Sequence, residues 1–239
     1  MRLNEAWERE AERWIAWARA PGHDSYWRFH RDQFLELVPP PGRLTVDVGC
    51  GEGRLSRDLA ALGHRVVAVD ASPTLVEAAR AAAPELDVRV ADAAALPLGD
   101  ACADLVVAFM SLQDVDDMPG AVGEAARVLV DGGAFCVAIV HPLNSAGAWE
   151  TEDESSPLLV QDYFEPRISS ETFERDGLAI TFHTWHRPLE AYMRALEDAG
   201  FLTEAVREHP LPEGGYEHAA GRRWRRIPLF MHLRALKAG

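Results

Sequence analysis

The sequence predicts an α/β domain on a doubly wound, largely parallel sheet. Three observations carry this expectation. Short β-branched or apolar runs alternate with Ala-rich helical stretches from Gly42 onward, a glycine-rich turn follows the first run, and acidic residues close the first three runs. A chain of 239 residues can bury one such sheet with insertions, so one domain spanning 1–239 is expected.

The elements follow in order. Over residues 4–19, Trp7, Trp14, Ile15 and Ala18 recur at helical spacing among Glu and Arg until Pro21-Gly22 stops the pattern, which predicts an amphipathic helix. Residues 26–38 predict a second, with Trp27, Phe34, Leu37 and Val38 on one side and a Pro-Pro-Pro-Gly break after it. Together they make a helical cap over 1–41. The core, 42–140, holds strands at 44–48, 66–69, 88–90, 105–109 and 134–140. The helix faces Leu55/Leu59/Leu62, Leu75/Val76/Ala79 and Val122/Ala125/Leu129 pack on it through right-handed crossovers. Residues 141–187 break the rhythm and offer a hairpin, 171–175 and 178–183 around Asp176-Gly177, as an insertion on the substrate side. A helix at 188–199 ended by Gly200, a strand at 201–207 and a strand at 228–236 close the chain.

Composition narrows the partners. Lys+Arg of 24 against Asp+Glu of 38 gives a net charge of −14, which repels phosphate backbones and anionic lipid, so neither nucleic acid nor membrane is expected as partner. Cys50, Cys102 and Cys136 have no CxxC spacing and are read as reduced thiols, and no metal site is expected. With no leader pattern, and no apolar run near the roughly 20 residues of a membrane span, the expected compartment is the cytoplasm.

The chemistry concentrates in Val46-Asp47-Val48-Gly49-Cys50-Gly51-Glu52-Gly53, a strand running into a turn whose glycines let a ligand approach the backbone. Dinucleotide folds use a similar device. Here the third glycine follows the second by two residues, and Asp47 would repel a pyrophosphate while attracting an ammonium group. Asp70 ends the next strand at the spacing of a ribose-binding carboxylate. Asp92 ends the third, placed to accept from an adenine amino group. No basic neighbour is evident among these acids, which suits an adenosine without phosphate.

Asp47/Gly49/Gly51/Gly53, Asp70, Asp92 and the segment from Phe109 to Asp114 resemble the successive motifs of the class I S-adenosylmethionine-dependent methyltransferases. The resemblance covers roughly 44–140. It implies a Rossmann-like sheet of seven strands whose last, antiparallel strand is 228–236. It implies S-adenosylmethionine as cofactor and S-adenosylhomocysteine as product. It assigns Asp47 and the Gly49 carbonyl to the ammonium, Asp70 to the ribose and Asp92 to the adenine, sets Met110 and Ser111 alongside the cofactor, and counts Cys50, Gly51, Gly53, Ala71 and Ala93 among the cofactor-binding residues. Tyr26 is similar to a residue that closes over the methionine carboxylate.

Ordinary readings stand beside these. Asp47 and Asp70 could cap helices, Asp92 is one of several acids in its region, and Cys50 has no neighbour to activate a thiolate. Methyl transfer asks mainly for positioning and, with a protic acceptor, a base. His141, at the end of the fifth strand, is the candidate base, with His183 and His186 behind it; a strand-end His before Pro is also an ordinary turn residue. Tyr26, Trp27, Phe29, His30, Trp149, Tyr163, Phe164 and Trp185 could wall a planar or hydrophobic acceptor, or join cap to core. The basic run at 222–226 reads as a charged strand edge or a lure for an acidic acceptor. The expected function is methylation of O, N or C of a small metabolite by a monomer or homodimer, in specialised metabolism. The alternatives are an adenosyl-cofactor-binding protein that does not methylate and an NAD-linked oxidoreductase.

Overall fold

The computed structural model describes residues 2–147, 161–211, 224–225 and 227–239. Trp149, Arg222, Arg223 and Arg226 lie outside the described residues. Five strands run β1 (Thr45–Val48), β2 (Val66–Asp70), β3 (Asp87–Val90), β4 (Ala103–Phe109) and β5 (Leu129–Val140). An insertion adds β6 (Arg167–Arg175) and β7 (Leu178–His186), and β8 (Phe201–Arg207) and β9 (Phe230–Lys237) complete the set. Seven of them form one sheet in the order β3-β2-β1-β4-β5-β9-β8. The first five are mutually parallel, and β9 runs antiparallel between β5 and β8. The seven-stranded, Rossmann-like sheet with its antiparallel last strand is thus as the sequence implies. β6 and β7 form the expected separate hairpin, turning at Asp176 (φ 50°) and Gly177 (φ 78°).

Period-two alternation sends each strand to two cores, which is why these runs read as continuously apolar. Along β4, Val106 and Ala108 pack with Val46, Val137 and Ile139 beneath α5 (Met118–Val128) and α7 (Leu189–Asp198). Leu105, Val107 and Phe109 face the other way, with Ala68 and Ala138, beneath α3 (Arg54–Ala61) and α4 (Pro73–Ala82). Ser72 caps α4 by accepting from the Leu75 amide, and Asp117 caps α5 by accepting from Gly120.

The N-terminal helix α1 (Leu3–Arg19) lies across the carboxyl edge of this sheet, and its tethers are polar. Glu8 accepts from the Ser72 and Thr74 hydroxyls at the start of α4, where a carboxylate also meets the positive helix end. Arg19 reaches Glu52 in the glycine turn at 3.1 Å, and the Leu3 amide donates to Asp116. Trp7 and Trp14 meet Phe182 of β7 edge-on.

Two expectations need correction. The second cap helix is not one α-helix over 26–38. Residues Tyr26–His30 form a π-helix closed by the Arg31 amide on the Tyr26 carbonyl, followed by a short α2 (Arg31–Leu35). The wider turn brings Tyr26, Phe29 and His30 inward together, and both Tyr26 and His30 pack edge-on against Phe109. The fifth strand also starts at Leu129 rather than near 134, because Asp131-Gly132-Gly133 continue it through a register shift. Among the described residues, no helix is long and apolar enough to cross a membrane.

Candidate cofactor site

β1 ends at the turn Gly49 to Gly53, and all three of its glycines have positive φ: 72°, 56° and 84°. Gly49 must lack a side chain, since a Cβ there would overlap Ser111, whose hydroxyl donates to the Val48 carbonyl at 2.6 Å. Ser111 and Met110 follow β4. Met110 is itself held at φ 53°, a left-handed conformation unusual for this residue, with its amide on the Ala138 carbonyl.

Four of the turn's five amides are spent inside the protein. Gly49 and Cys50 donate to the Val69 carbonyl, Gly53 donates to Cys50, and Gly51 donates to the Asp70 carboxylate at 2.8 Å. A phosphate-cradling loop presents such groups to its ligand. Asp70 also accepts from the Ser72 amide at 2.9 Å, which fixes its carboxylate at the end of β2, half exposed. Burial raises its pKa, the Ser72 and Gly51 amides oppose that rise, and Glu8 adds to it.

Asp47 sits beneath the turn, 1% exposed, accepting from the Ser56 hydroxyl at 2.5 Å. Burial pushes its pKa up to about 7, with Ser56 opposing and Asp70 adding. A cation brought near would favour its ionised form. Cys50 is packed beside both acids, and burial with these charges drives its thiol well above its usual range, so it is no thiolate nucleophile. Asp114, half-buried after β4, is held well above the carboxylate range by desolvation, with Thr184 and Arg187 opposing and Asp70 adding. Asp70 thus lies within electrostatic reach of both Asp47 and Asp114, at the carboxyl ends of β1, β2 and β4. Asp92 is placed differently: it is exposed and folds back to accept from the Ala94 amide, at the rim after β3, with Ala93 beside it. Ala71 links Asp70 to Ser72.

Sequence reasoning found no basic neighbours here, and the structure corrects that. Arg54 opens α3 with its guanidinium over the rings of Trp14 (4.9 Å) and Tyr26 (5.0 Å), paired with Asp24. Burial pulls it down to about 9, with Arg57 adding to the shift. Arg57 and Arg19 both pair with Glu52. Arg54, Arg57 and Arg19 each already have a carboxylate, whereas Arg187, beside Asp114, donates to the Val115 and Asp116 carbonyls. Tyr26 is fully buried, and its hydroxyl donates to Asp58 at 2.7 Å, so only its ring faces the turn. These arginines and Asp24 escaped sequence reasoning because only the fold sets α1 and the π-helix against α3.

His141 has both ring nitrogens committed. Nδ1 accepts from the Leu143 amide at 3.1 Å, capping the short helix α6 (Pro142–Ser145), and Nε2 meets Glu208 at 2.7 Å. No lone pair remains for an acceptor, so the geometry argues against the expected base. We expect His141→Ala to cost about 1 kcal/mol of stability by removing the cap, measured by urea unfolding. Any turnover should keep the wild-type pH profile. His186 is likewise held between Ser145 and the Tyr163 carbonyl, and His183 by Ser170. Trp27 and Phe164, expected as acceptor walls, are 59% and 74% exposed.

Fold and site together define a Rossmann-like protein whose crevice suits a cationic nucleoside ligand without phosphate. Comparison with known proteins agrees. A family model described as a methyltransferase domain matches residues 46–137. A "Probable S-adenosylmethionine-dependent methyltransferase" of Mycolicibacterium smegmatis is 36% identical over 169 residues, 65% of this chain and 66% of that protein. The chain spans 58% to 66% of the length of the first curated relatives it matches. In fold it is similar to an S-adenosylmethionine-dependent methyltransferase from Mesorhizobium loti (TM-score 0.68, 24% identity, 90% of this chain and 98% of that one). It is also similar to the cyclase SpnF (TM-score 0.67, 18% identity, 99% and 95%). The chain belongs to the class I S-adenosylmethionine-dependent methyltransferase family, whose cofactor is S-adenosylmethionine.

Proposed function

We propose that the protein transfers a methyl group from S-adenosylmethionine to oxygen, nitrogen or carbon of a small metabolite, in specialised metabolism, leaving S-adenosylhomocysteine. The observation that carries this reading is the pairing of a glycine turn whose Gly49, Cys50, Gly51 and Gly53 amides are spent inside the protein with two acids, the buried Asp47 and the partly exposed Asp70. Such a site attracts the cationic methionyl end and ribose hydroxyls, and offers a pyrophosphate little.

The bound cofactor supplies an electrophilic methyl group; the chain's part is to orient and desolvate. Asp70 holds ribose hydroxyls. Asp47 sets the charge beneath the methionyl group, Gly49 to Gly53 give it room, and Tyr26, Met110 and Ser111 close around it, with Asp92 and Ala93 at the adenine end. We read residues 1–41 as a cap, 42–140 as the cofactor core, 141–187 as the substrate-side insertion and 188–239 as the closing helix and strands of one domain. The charge of −14 supports a small acceptor rather than nucleic acid, in a cytoplasmic monomer or homodimer.

A second reading keeps the cofactor without methylation, and the likeness to a cyclase favours keeping it open. Calorimetry on the whole chain should show about micromolar binding of S-adenosylhomocysteine and none of NAD. The reverse would move the protein among the oxidoreductases. A metabolite panel with labelled S-adenosylmethionine should then yield a labelled product; cofactor binding without product would favour the second reading.

A further inference from the structure

A second recess lies on the same carboxyl edge, on the side of β5 and β9. His30, Gln33, His209, Leu211, Phe230 and His232 line a recess of about 10 Å³, room for one water-sized group, that is partly open to solvent. β9 places its end of this recess by register: Phe230 lies opposite Val140 and His232 opposite Ala138, at the top of β5. The π-helix places the other. Its last residue, His30, packs on Phe109, the residue before Met110, while its first, Tyr26, packs on Phe109 and Arg54 beside the glycine turn. One short element thus joins the cofactor crevice to this recess.

The histidines are unlike the three at positions 141, 183 and 186, which have partners. His30 Nδ1 and His232 Nε2 face each other at 2.9 Å, and the two residues are 1% and 2% exposed. His30 Nε2, His232 Nδ1 and His209 Nε2 are buried without a hydrogen-bond partner among the described residues. Buried polar atoms are rarely left so unless a ligand or water meets them. Burial, with the neighbouring imidazoles, holds His30 well below its usual pKa and His232 at about 4, so both rings are neutral at physiological pH.

A neutral imidazole has one N–H and one lone pair. The bond between the rings uses one of each, so the pair turns one donor and one acceptor outward. Among the described residues no group of three or more His, Cys, Asp or Glu is placed to hold a metal ion, which favours an organic ligand. Among the described residues the lining holds no Asp, Glu, Lys or Arg, and Phe29, Leu211 and Leu229 pack as an apolar cluster around it. A carboxylate or phosphate would find too few donors here and no opposite charge, and an ammonium no anion. A hydroxyl both donates and accepts.

We propose that this recess seats the hydroxyl group of an uncharged methyl acceptor, held by the His30–His232 pair, with the rest of the molecule at the recess's open side. This rests on the methyltransferase reading and narrows its acceptor to an alcohol or phenol. The test uses the full chain saturated with S-adenosylhomocysteine, with NMR of the imidazole nitrogens during titration with phenol and, separately, benzoate. Phenol should shift the His30 and His232 signals, and benzoate should leave them. His232→Asn should weaken phenol about tenfold, the loss of one buried hydrogen bond, with S-adenosylhomocysteine affinity unchanged. Phenol without effect on these signals, or benzoate acting as strongly, would overturn the assignment, and this reading needs only the wild-type chain. Failure of S-adenosylhomocysteine to bind would instead bring down the methyltransferase reading itself.

Discussion

Asp70→Ala is expected to weaken S-adenosylhomocysteine binding by about 1–3 kcal/mol, measured by calorimetry. The upper end is expected because the carboxylate does two things at once. It faces the crevice as an acceptor, and it braces the Gly51 and Ser72 amides, so its loss also loosens the turn. Stability should respond differently. Burial raises the pKa of Asp70 in the folded protein, so the ionised group opposes folding once pH exceeds its ordinary value of 3.8. Its removal therefore costs the free protein little at neutral pH, beyond two amides left to water. A variant that unfolds normally in urea yet fails to bind would assign Asp70 to the ligand. Undiminished affinity would remove it from the site.

Gly49→Ala is expected to act through both conformation and space. At φ 72°, an alanine pays roughly 1–2 kcal/mol for the left-handed conformation. Its Cβ would overlap the Ser111 Cβ and come within 2.8 Å of the Ser111 Oγ, adding about 1–3 kcal/mol of overpacking. Moving Ser111 breaks its bond to the Val48 carbonyl and shifts one wall of the crevice. Unfolding midpoints should fall, and S-adenosylhomocysteine binding should fall with them. Combining Gly49→Ala with Ser111→Gly separates the two contributions: the contact is relieved and the backbone cost stays. Full recovery in the double variant would show that the φ of Gly49 is unimportant.

The parts of this architecture legible in sequence are those set by local rules. Apolar runs such as Val66–Asp70, buried on both faces, read plainly because residues alternate between two cores. The glycine turn and the acids ending β1 and β2 were equally visible, since both lie at strand ends. The cap helix at 26–38 misled because bulky residues at helical spacing do not reveal whether a turn closes after four residues or five. Position 141 drew attention as a base through its adjacency to β5, whereas both its nitrogens are spent on α6 and Glu208. His30 and His232 stand 202 residues apart and meet only because β9 returns to the middle of the sheet. No local pattern announces such a pair.

The place of β9 also orders assembly. β8 touches the sheet only through β9, so during synthesis it has no hydrogen-bonding neighbour until the segment from Phe230 has emerged. The crevice of β1, β2 and β4 needs none of these later residues for its acids or its turn. Any nascent form that lacks β9 would carry a nucleoside site without His232 and with an unsealed edge on β5, open to pairing with another chain. Folding of this molecule is therefore exposed to error at its final step, and a helper that shields β5 from other nascent chains would raise the yield of complete protein.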